Sequence, residues 1–594
     1  MHESLNFGPY YERVTNWILT QTNAAQYFAI LSILLVCVLI TLIFISDRFK
    51  YSRILFIICS ITTIFIFRGL SLYIEPLNAD EGLHLANAIA LSHDRRLWVA
   101  TDTTTFGPVP VVVILIVHKI ISVFLPSFGI TYFLVRLINI IIISVSFVLL
   151  NKVFESRLNR KIAWSISLFY VMFFSFFWYP DLQAFNSEYI YMFFISISLY
   201  AMYEFENKAN IYSLMVCGLA CGTMPFIKLQ TVPMCAVLIM WSIFIILRRK
   251  YILFGKKKLK NHYSLLVYLG TVSFPLMFIF FYSLTYENGV ENAFTYYILN
   301  AFAHVQPYTL SVFIKYLYKI LFPFLLKFPW LNTISILALS AFVLSLALVL
   351  IKKFKAKIGV NYIFSCMLFL FSVEAVAYVL KLFVHYIVFI VVPALVFFME
   401  TIVLLSSAEY NWIVFPRLYI PKGMQQSFRR DNVVTFCLIL LTVVLFSSFP
   451  LNVLRQTILS YKRIVGYENP YLAYAAQYVA AQTTDEDYVV VWGWEERVLV
   501  YANRKSGTAK TQIPMLYPPY PSKNIDIYIS DIKRNKPKLI IDVVAPHSFT
   551  YSEWETNGLE KHAQIWSAIR DDYKLTNILR FSDDVAYRVY SRNK

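Results

Sequence analysis

The chain has 594 residues, is 58% hydrophobic and 18% aromatic, and carries only 15% charged residues, where soluble domains run near about 25%. Apolar runs recur over the first 450 positions, which excludes an ordinary soluble protein and describes a polytopic membrane protein. The formal net charge of +18 does not indicate nucleic acid, because Lys and Arg fall in short clusters between apolar runs, the pattern of the positive-inside rule.

In chain order, twelve spans are predicted, at 26–46, 54–74, 131–150, 162–179, 187–204, 210–226, 229–247, 263–283, 331–351, 360–380, 384–405 and 433–450. The N-terminus lacks a basic n-region and a cleavage site, so 26–46 reads as a retained span. The clusters "DRFKYSR" (47–53), "NKVFESRLNRK" (151–161), "RRKYILFGKKKLK" (248–260), "KKFKAK" (352–357) and "FPRLYIPKGMQQSFRR" (415–430) define the cytoplasmic side. The alternate loops at 75–106, 179–187 and 284–306 contain only Arg95 and Arg96. This bookkeeping closes only if "GPVPVVVILIVHKIISVFLP", from Gly107, does not cross. Two prolines at its start, with His118 and Lys119 inside it, fit a juxtamembrane or re-entrant helix; 307–327 is expected to be a second. The seven cysteines all lie in apolar segments and read as small buried hydrophobes. After about 450 the composition turns polar, with β-rich runs at 488–494, 537–544 and 585–592 and helical patterns at 471–482 and 557–570. That alternation predicts a small α/β domain, which span parity places outside the cytoplasm. The expected organisation is therefore an N-terminal segment with one extra span (1–53), a transmembrane catalytic domain (54–452, first outer loop 75–130) and an extracytoplasmic soluble domain (453–594).

The polar residues at the predicted outer face carry the chemistry. Asp80 and Glu81 lie about six residues beyond the second span, where a partly dry interface raises a carboxyl pKa and suits it to act as a base. An acidic pair that is merely solvated, or that caps the helix beginning near Gly82, is the ordinary alternative. "WYPDLQAFNSEYIYMFF" adds Asp181 and Glu188, "MPFIKLQTVP" adds Lys228, and "KLFVHYIVF" adds Lys381, His385 and Tyr386, while Arg136 opens the third span. Singly, the lysines read as snorkelling side chains, His385 as a core histidine and Glu188 as a lysine's partner. Together they describe a cavity with acids on one side and bases on the other. Transfer from a lipid phosphate needs both: cations for the phosphate, and a carboxylate to take a proton from an incoming hydroxyl.

Over residues 54–450 this pattern resembles the GT-C glycosyltransferases that use polyprenyl-phosphate sugars, a group including protein O-mannosyltransferases, aminoarabinose transferases and RgtA-like enzymes. The resemblance rests on the acidic "DE" (Asp80, Glu81), the "TTTFGPVP" that leads into a juxtamembrane helix, Arg136, the second acidic site at Asp181 or Glu188, "CGTMPFIK", and "HY" (His385, Tyr386). The tail opening "VVVWGWEERVLVYANRK" also resembles the outer domain of such enzymes. It implies an α-helical, GT-C-like polytopic fold in the cell (inner) membrane, with Asp80 as catalytic base and Glu81 its acidic neighbour. Lys228 and His385 would bind the donor phosphate, with Tyr386, Arg136 and Lys381 beside them. The first span is an addition to the family plan, and "GPVP" stands where many members have "PPL".

The expected activity is an inverting transfer from a polyprenyl-phosphate sugar to a hydroxyl on a glycan, lipid or protein. The partners are then that donor, that acceptor and membrane lipids, with no nucleic acid. A phosphate leaving group needs no general acid, unlike the acid–base pair of inverting glycosidases. No cofactor or metal is required, although Glu81 or Glu188 are the residues that would join a divalent cation site. A transporter or flippase for a lipid-linked sugar is the alternative; its usual internal repeat is not found. An oligosaccharyltransferase or an O-antigen-type ligase would share the donor and the outer-face site. "WGW" (492–494) is expected to pack as strand-end aromatics.

Overall fold

The computed structural model describes residues 24–73, 77–102, 104–176, 180–249, 251–254, 257–304, 359–377, 383–407, 435, 438–440, 470–493, 495–511, 516, 520, 522–544, 554–581 and 585–593. The predicted span at 331–351, the helix at 307–327, Lys381, Trp494 and most of 433–450 lie outside these residues.

The apolar runs fold as helices close to their predicted limits: α1 Ala24–Phe44, α2 Ser52–Gly69, then between the second and third predicted spans α3 Ala79–His93 and α4 Val109–Phe124. There follow α5 Tyr132–Arg157, α6 Arg160–Phe176, α7 Ser187–Lys208, α8 Ile211–Thr223, α9 Val232–Arg248, α10 Asn261–Ser283, α11 Val360–Ala377 and α12 Val388–Ser407. Among the described residues, five segments are long and apolar enough to cross a membrane: 52–69, 132–157, 229–248, 261–283 and 384–404. α6 and α7 are less apolar because they carry Ser, Tyr and terminal charges, and they are buried in the middle of the bundle. α4 has only 16 residues, below the roughly 20 a span needs. One face of α4 packs against α3 and the other exposes Ile116, Ile120, Val123 and Phe124.

Ion pairs tie the bundle at the end away from α3. Arg157 bonds Glu400 at 3.1 Å, the Tyr203 hydroxyl donates to the same carboxylate at 2.7 Å, and Arg53 meets Glu155 at 2.6 Å. These groups come from the cluster 151–161 and its neighbours, so the charges that set the predicted orientation also fasten helix to helix.

The carboxy-terminal residues form a mixed five-stranded sheet. Its strands, after a hairpin formed by β1 Ile252–Phe254 and β2 Lys257–Leu259, are β3 Tyr488–Trp492, β4 Lys505–Ser506, β5 Leu539–Asp542, β6 Tyr573–Arg580 and β7 Ala586–Arg592. The order is β4-β3-β5-β7-β6, with β3 parallel to β4 and β5 and with β7 antiparallel to β5 and β6. The helix Pro470–Gln482 was expected; Lys523–Asn535 and strand β6 were not. Lys523–Asn535 sets Ile525, Tyr528 and Ile532 on one face, and that face packs against Trp492 and Ile540. Trp492 is buried and its indole N–H donates to the Asn557 carbonyl at 2.8 Å, so it is a core residue as expected.

Candidate functional site

The loops at one end of the bundle bring the predicted outer-face residues together. Asn78 caps α3: its side-chain oxygen accepts from the Glu81 N–H at 2.9 Å, satisfying an orphan donor of the first turn. The same amide donates to Asp181 Oδ1 at 2.7 Å and to Asn186 Oδ1 at 3.0 Å. One side chain thus locks α3 to the α6–α7 connection.

Asp80 and Glu81 are neighbours in sequence and about 100° apart around the helix, and the structure separates them. Glu81 is fully buried and paired with Arg136, whose Nε and Nη2 donate to its two oxygens at 2.9 and 2.6 Å. The Phe185 N–H also donates to Glu81, at 3.0 Å, and Arg136 Nη1 donates to the Ser71 carbonyl at 2.5 Å. Both charges are therefore committed to holding α2, α3, α5 and the 180–187 turn together.

Asp80 stays partly accessible instead. Its side chain keeps 39% of its surface accessible, and its Oδ2 lies 3.7 Å from His385 Nε2. Recession between the loops pushes this carboxyl above its ordinary value, against the lowering pull of His385 and Lys228. Asp181 behaves oppositely. Burial alone would raise it, but His385 and Asn78 hold it down to about 2. It accepts from the His385 backbone N–H at 3.1 Å and lies 2.7 Å from Nδ1, so the ionised carboxylate fixes Nδ1 as the donor and turns Nε2 toward Asp80.

Glu188, at the start of α7, takes Lys228 Nζ at 2.5 Å and lies 3.9 Å from His385 Nε2. Lys228 stands in the turn between α8 and α9, over the Tyr386 ring at 4.2 Å. Burial works against its charge, but Glu188 more than offsets that and keeps it protonated. The turn is set by Gly107, whose N–H donates to the Ile227 carbonyl at 2.8 Å. A Cβ on Gly107 would stand 1.9 Å from the Phe226 carbonyl oxygen. Asp80, Asp181, Glu188, Lys228, His385 and Tyr386 thus share one cluster; Arg136 is one layer behind it.

Two residues were not picked out from the sequence. Asn78 carries an N-x-x-E capping spacing with Glu81, and His84 is one helical turn from Asp80. His84 is 1% exposed, its ring is wedged against Phe106 and Phe185, and burial lowers it to about 3, so it is neutral.

The sheet unit packs against α3 and the segment that follows it. Asp102, between α3 and α4, meets Lys510 at 3.4 Å with both side chains fully buried, and accepts from the Thr511 N–H at 3.3 Å. Arg497 Cγ lies 3.2 Å from where a Cβ on Gly82 would be.

No protein-family model and no curated protein matches the sequence. Among solved structures, ArnT from Cupriavidus metallidurans bound to undecaprenyl phosphate aligns over 91% of this chain and 98% of its own, with TM-score 0.51 and 11% identity. The chain has the GT-C fold of ArnT. ArnT in the apo state gives a TM-score of 0.49 at 13% identity over 91% of this chain and 97% of that one. The Archaeoglobus fulgidus oligosaccharyltransferase in its apo form gives 0.48 at 12% identity, over 84% and 70%. The ArnT-like alignment runs through both the bundle and the sheet unit, since it spans nearly the whole of each chain.

Proposed function

We propose that this protein is a membrane glycosyltransferase that moves a sugar from a polyprenyl-phosphate donor to an acceptor hydroxyl, with inversion, at the extracytoplasmic face. The fold shared with ArnT supports the class. The observation that carries the mechanism is the contrast among four carboxylates. Glu81, Asp181 and Glu188 are each bound by hydrogen-bond donors, whereas Asp80 is accessible and has no hydrogen bond shorter than its 3.7 Å approach to His385 among the described residues.

In this reading Asp80 takes the acceptor's hydroxyl proton as the oxygen attacks the anomeric carbon. The carbon–oxygen bond to phosphate breaks, and polyprenyl phosphate leaves with the electron pair. Lys228, and His385 as imidazolium, balance the charge on that phosphate. Asp181 orients His385; Glu81 and Arg136 position α3. The acceptor is a glycan, lipid or protein hydroxyl, and no metal ion is required by these steps.

The test compares wild type with Asp80→Asn in detergent, measuring polyprenyl phosphate released from labelled polyprenyl-phosphate hexoses and pentoses with membrane extract as acceptor. Near-total loss of turnover with donor binding retained is expected, since a positioned base contributes about 10²–10⁴-fold. Undiminished turnover in the variant would remove Asp80 from the role, and donor binding without turnover in wild type would favour a flippase.

A further inference from the structure

Three carboxylates, Asp80, Asp181 and Glu188, already surround the two cations of the site, Lys228 and His385. A phosphate brings a fourth anion into a space with little water to screen it, so one of the carboxylates has to give way. Asp181 is the least able to move: it is tied to Asn78, to the His385 ring and to the His385 backbone N–H. Asp80 lies against His385 and makes no direct contact with Lys228. Glu188 is different. Its Oε1 lies 2.5 Å from Lys228 Nζ and 3.9 Å from His385 Nε2, so one oxygen occupies the point on which both cations converge. Its other oxygen accepts from the Ser187 hydroxyl at 3.2 Å, a long bond from its own neighbour in sequence. Lys228 otherwise packs on the Tyr386 ring, and Asp80 attracts it only from farther off.

Taking Lys228 as a ligand of the donor phosphate, on which this rests, we propose that Glu188 and the lipid phosphate compete for Lys228. Glu188 is then an exchangeable counter-ion. It keeps a buried ammonium paired when no phosphate is held, and it displaces the polyprenyl phosphate product after transfer. A site holding the phosphate with Lys228 and His385 unopposed would bind product as firmly as donor and turn over slowly. Glu188 is thus a positioning residue for Lys228 that limits affinity, and its removal tightens binding. A carboxylate that merely supports Lys228 gives the opposite sign.

The experiment titrates the full chain in detergent with undecaprenyl phosphate, using wild type, Glu188→Gln, Glu188→Asp and Lys228→Gln, with inorganic phosphate as a competing ligand. Glu188→Gln is expected to bind undecaprenyl phosphate at least about tenfold tighter, with kcat reduced and an initial burst of product. Glu188→Asp, whose shorter side chain draws the charge back from Lys228, is expected to tighten binding less, and it serves as the reading if the Gln variant does not fold. Equal or weaker binding in both variants, with binding lost in Lys228→Gln, overturns the competition and leaves the phosphate site standing. Binding unchanged in Lys228→Gln, or absent from wild type, overturns the phosphate site itself. Inorganic phosphate following the same order of variants places the effect at the headgroup; a change confined to the lipid form overturns it.

Discussion

Replacing Glu81 by Gln tests whether the Glu81–Arg136 pair is structural or chemical. Both side chains are 0% exposed, and the guanidinium donates to Glu81 and to the Ser71 carbonyl. The amide keeps the shape and still accepts from Phe185, but it leaves Arg136 as a buried cation without its counter-ion, which costs about 3–5 kcal/mol. Arg136→Met strands the Glu81 charge and costs a similar amount. The double variant removes both charges and leaves chiefly the Ser71 carbonyl unpaired, a loss of about 1–3 kcal/mol. The two single losses together come to about 6–10 kcal/mol, so the double variant is expected to recover several kcal/mol of that sum. Equilibrium denaturation of the four proteins in one detergent reads this cycle. Polyprenyl phosphate release per folded molecule then shows whether Glu81 acts chemically: turnover that returns with the fold in the double variant makes it a positioning residue. Additivity of the two single losses to within about 0.5 kcal/mol, or a Glu81→Gln protein as stable as wild type, would refute the reasoning.

The pH profile of turnover should show an acid limb set by Asp80. The base works only when deprotonated, and its carboxyl is raised above 3.8 by desolvation, so activity falls with decreasing pH at a higher value than for a free aspartate. A rate profile flat down to pH 4 would exclude Asp80 as the base. Gly107→Ala should abolish undecaprenyl phosphate binding without touching a charged group, because the new Cβ would stand 1.9 Å from the Phe226 carbonyl oxygen and force out the turn that carries Lys228. Wild-type affinity in that variant would show that the turn tolerates displacement.

The span limits were legible because hydrocarbon thickness imposes length on apolar runs, and α5, α9 and α12 lie where those runs stand. The members of the site were legible as charges out of place in an oily sequence: Asp80, Asp181, Glu188, Lys228 and His385 do converge. What hydropathy does not encode is which charge faces which. "DE" reads as a unit, yet one helical step sends Glu81 into the core and leaves Asp80 partly accessible beside His385. Arg136 was expected at the donor phosphate for the same reason, and its guanidinium instead satisfies Glu81. Asn78 and His84 carry no formal charge and so did not stand out, although their spacing to Glu81 and Asp80 was there to read. In the tail, β6 was missed because its pattern is exposed over Lys574–Ile578, which removes the alternation that marks a half-buried strand.

The Asp102–Lys510 contact joins positions 408 residues apart. A ribosome adding about 5–20 residues per second makes the second partner roughly 20 to 80 seconds after the first. Throughout that interval Asp102, a carboxylate built for burial, waits for the lysine that shares its burial. The apolar bundle can collect early, while the packing of the sheet unit on this segment waits until residue 510 has been made. Synthesis past this point is therefore itself a checkpoint, and a chain stopped before residue 510 lacks the lysine that shares Asp102's burial.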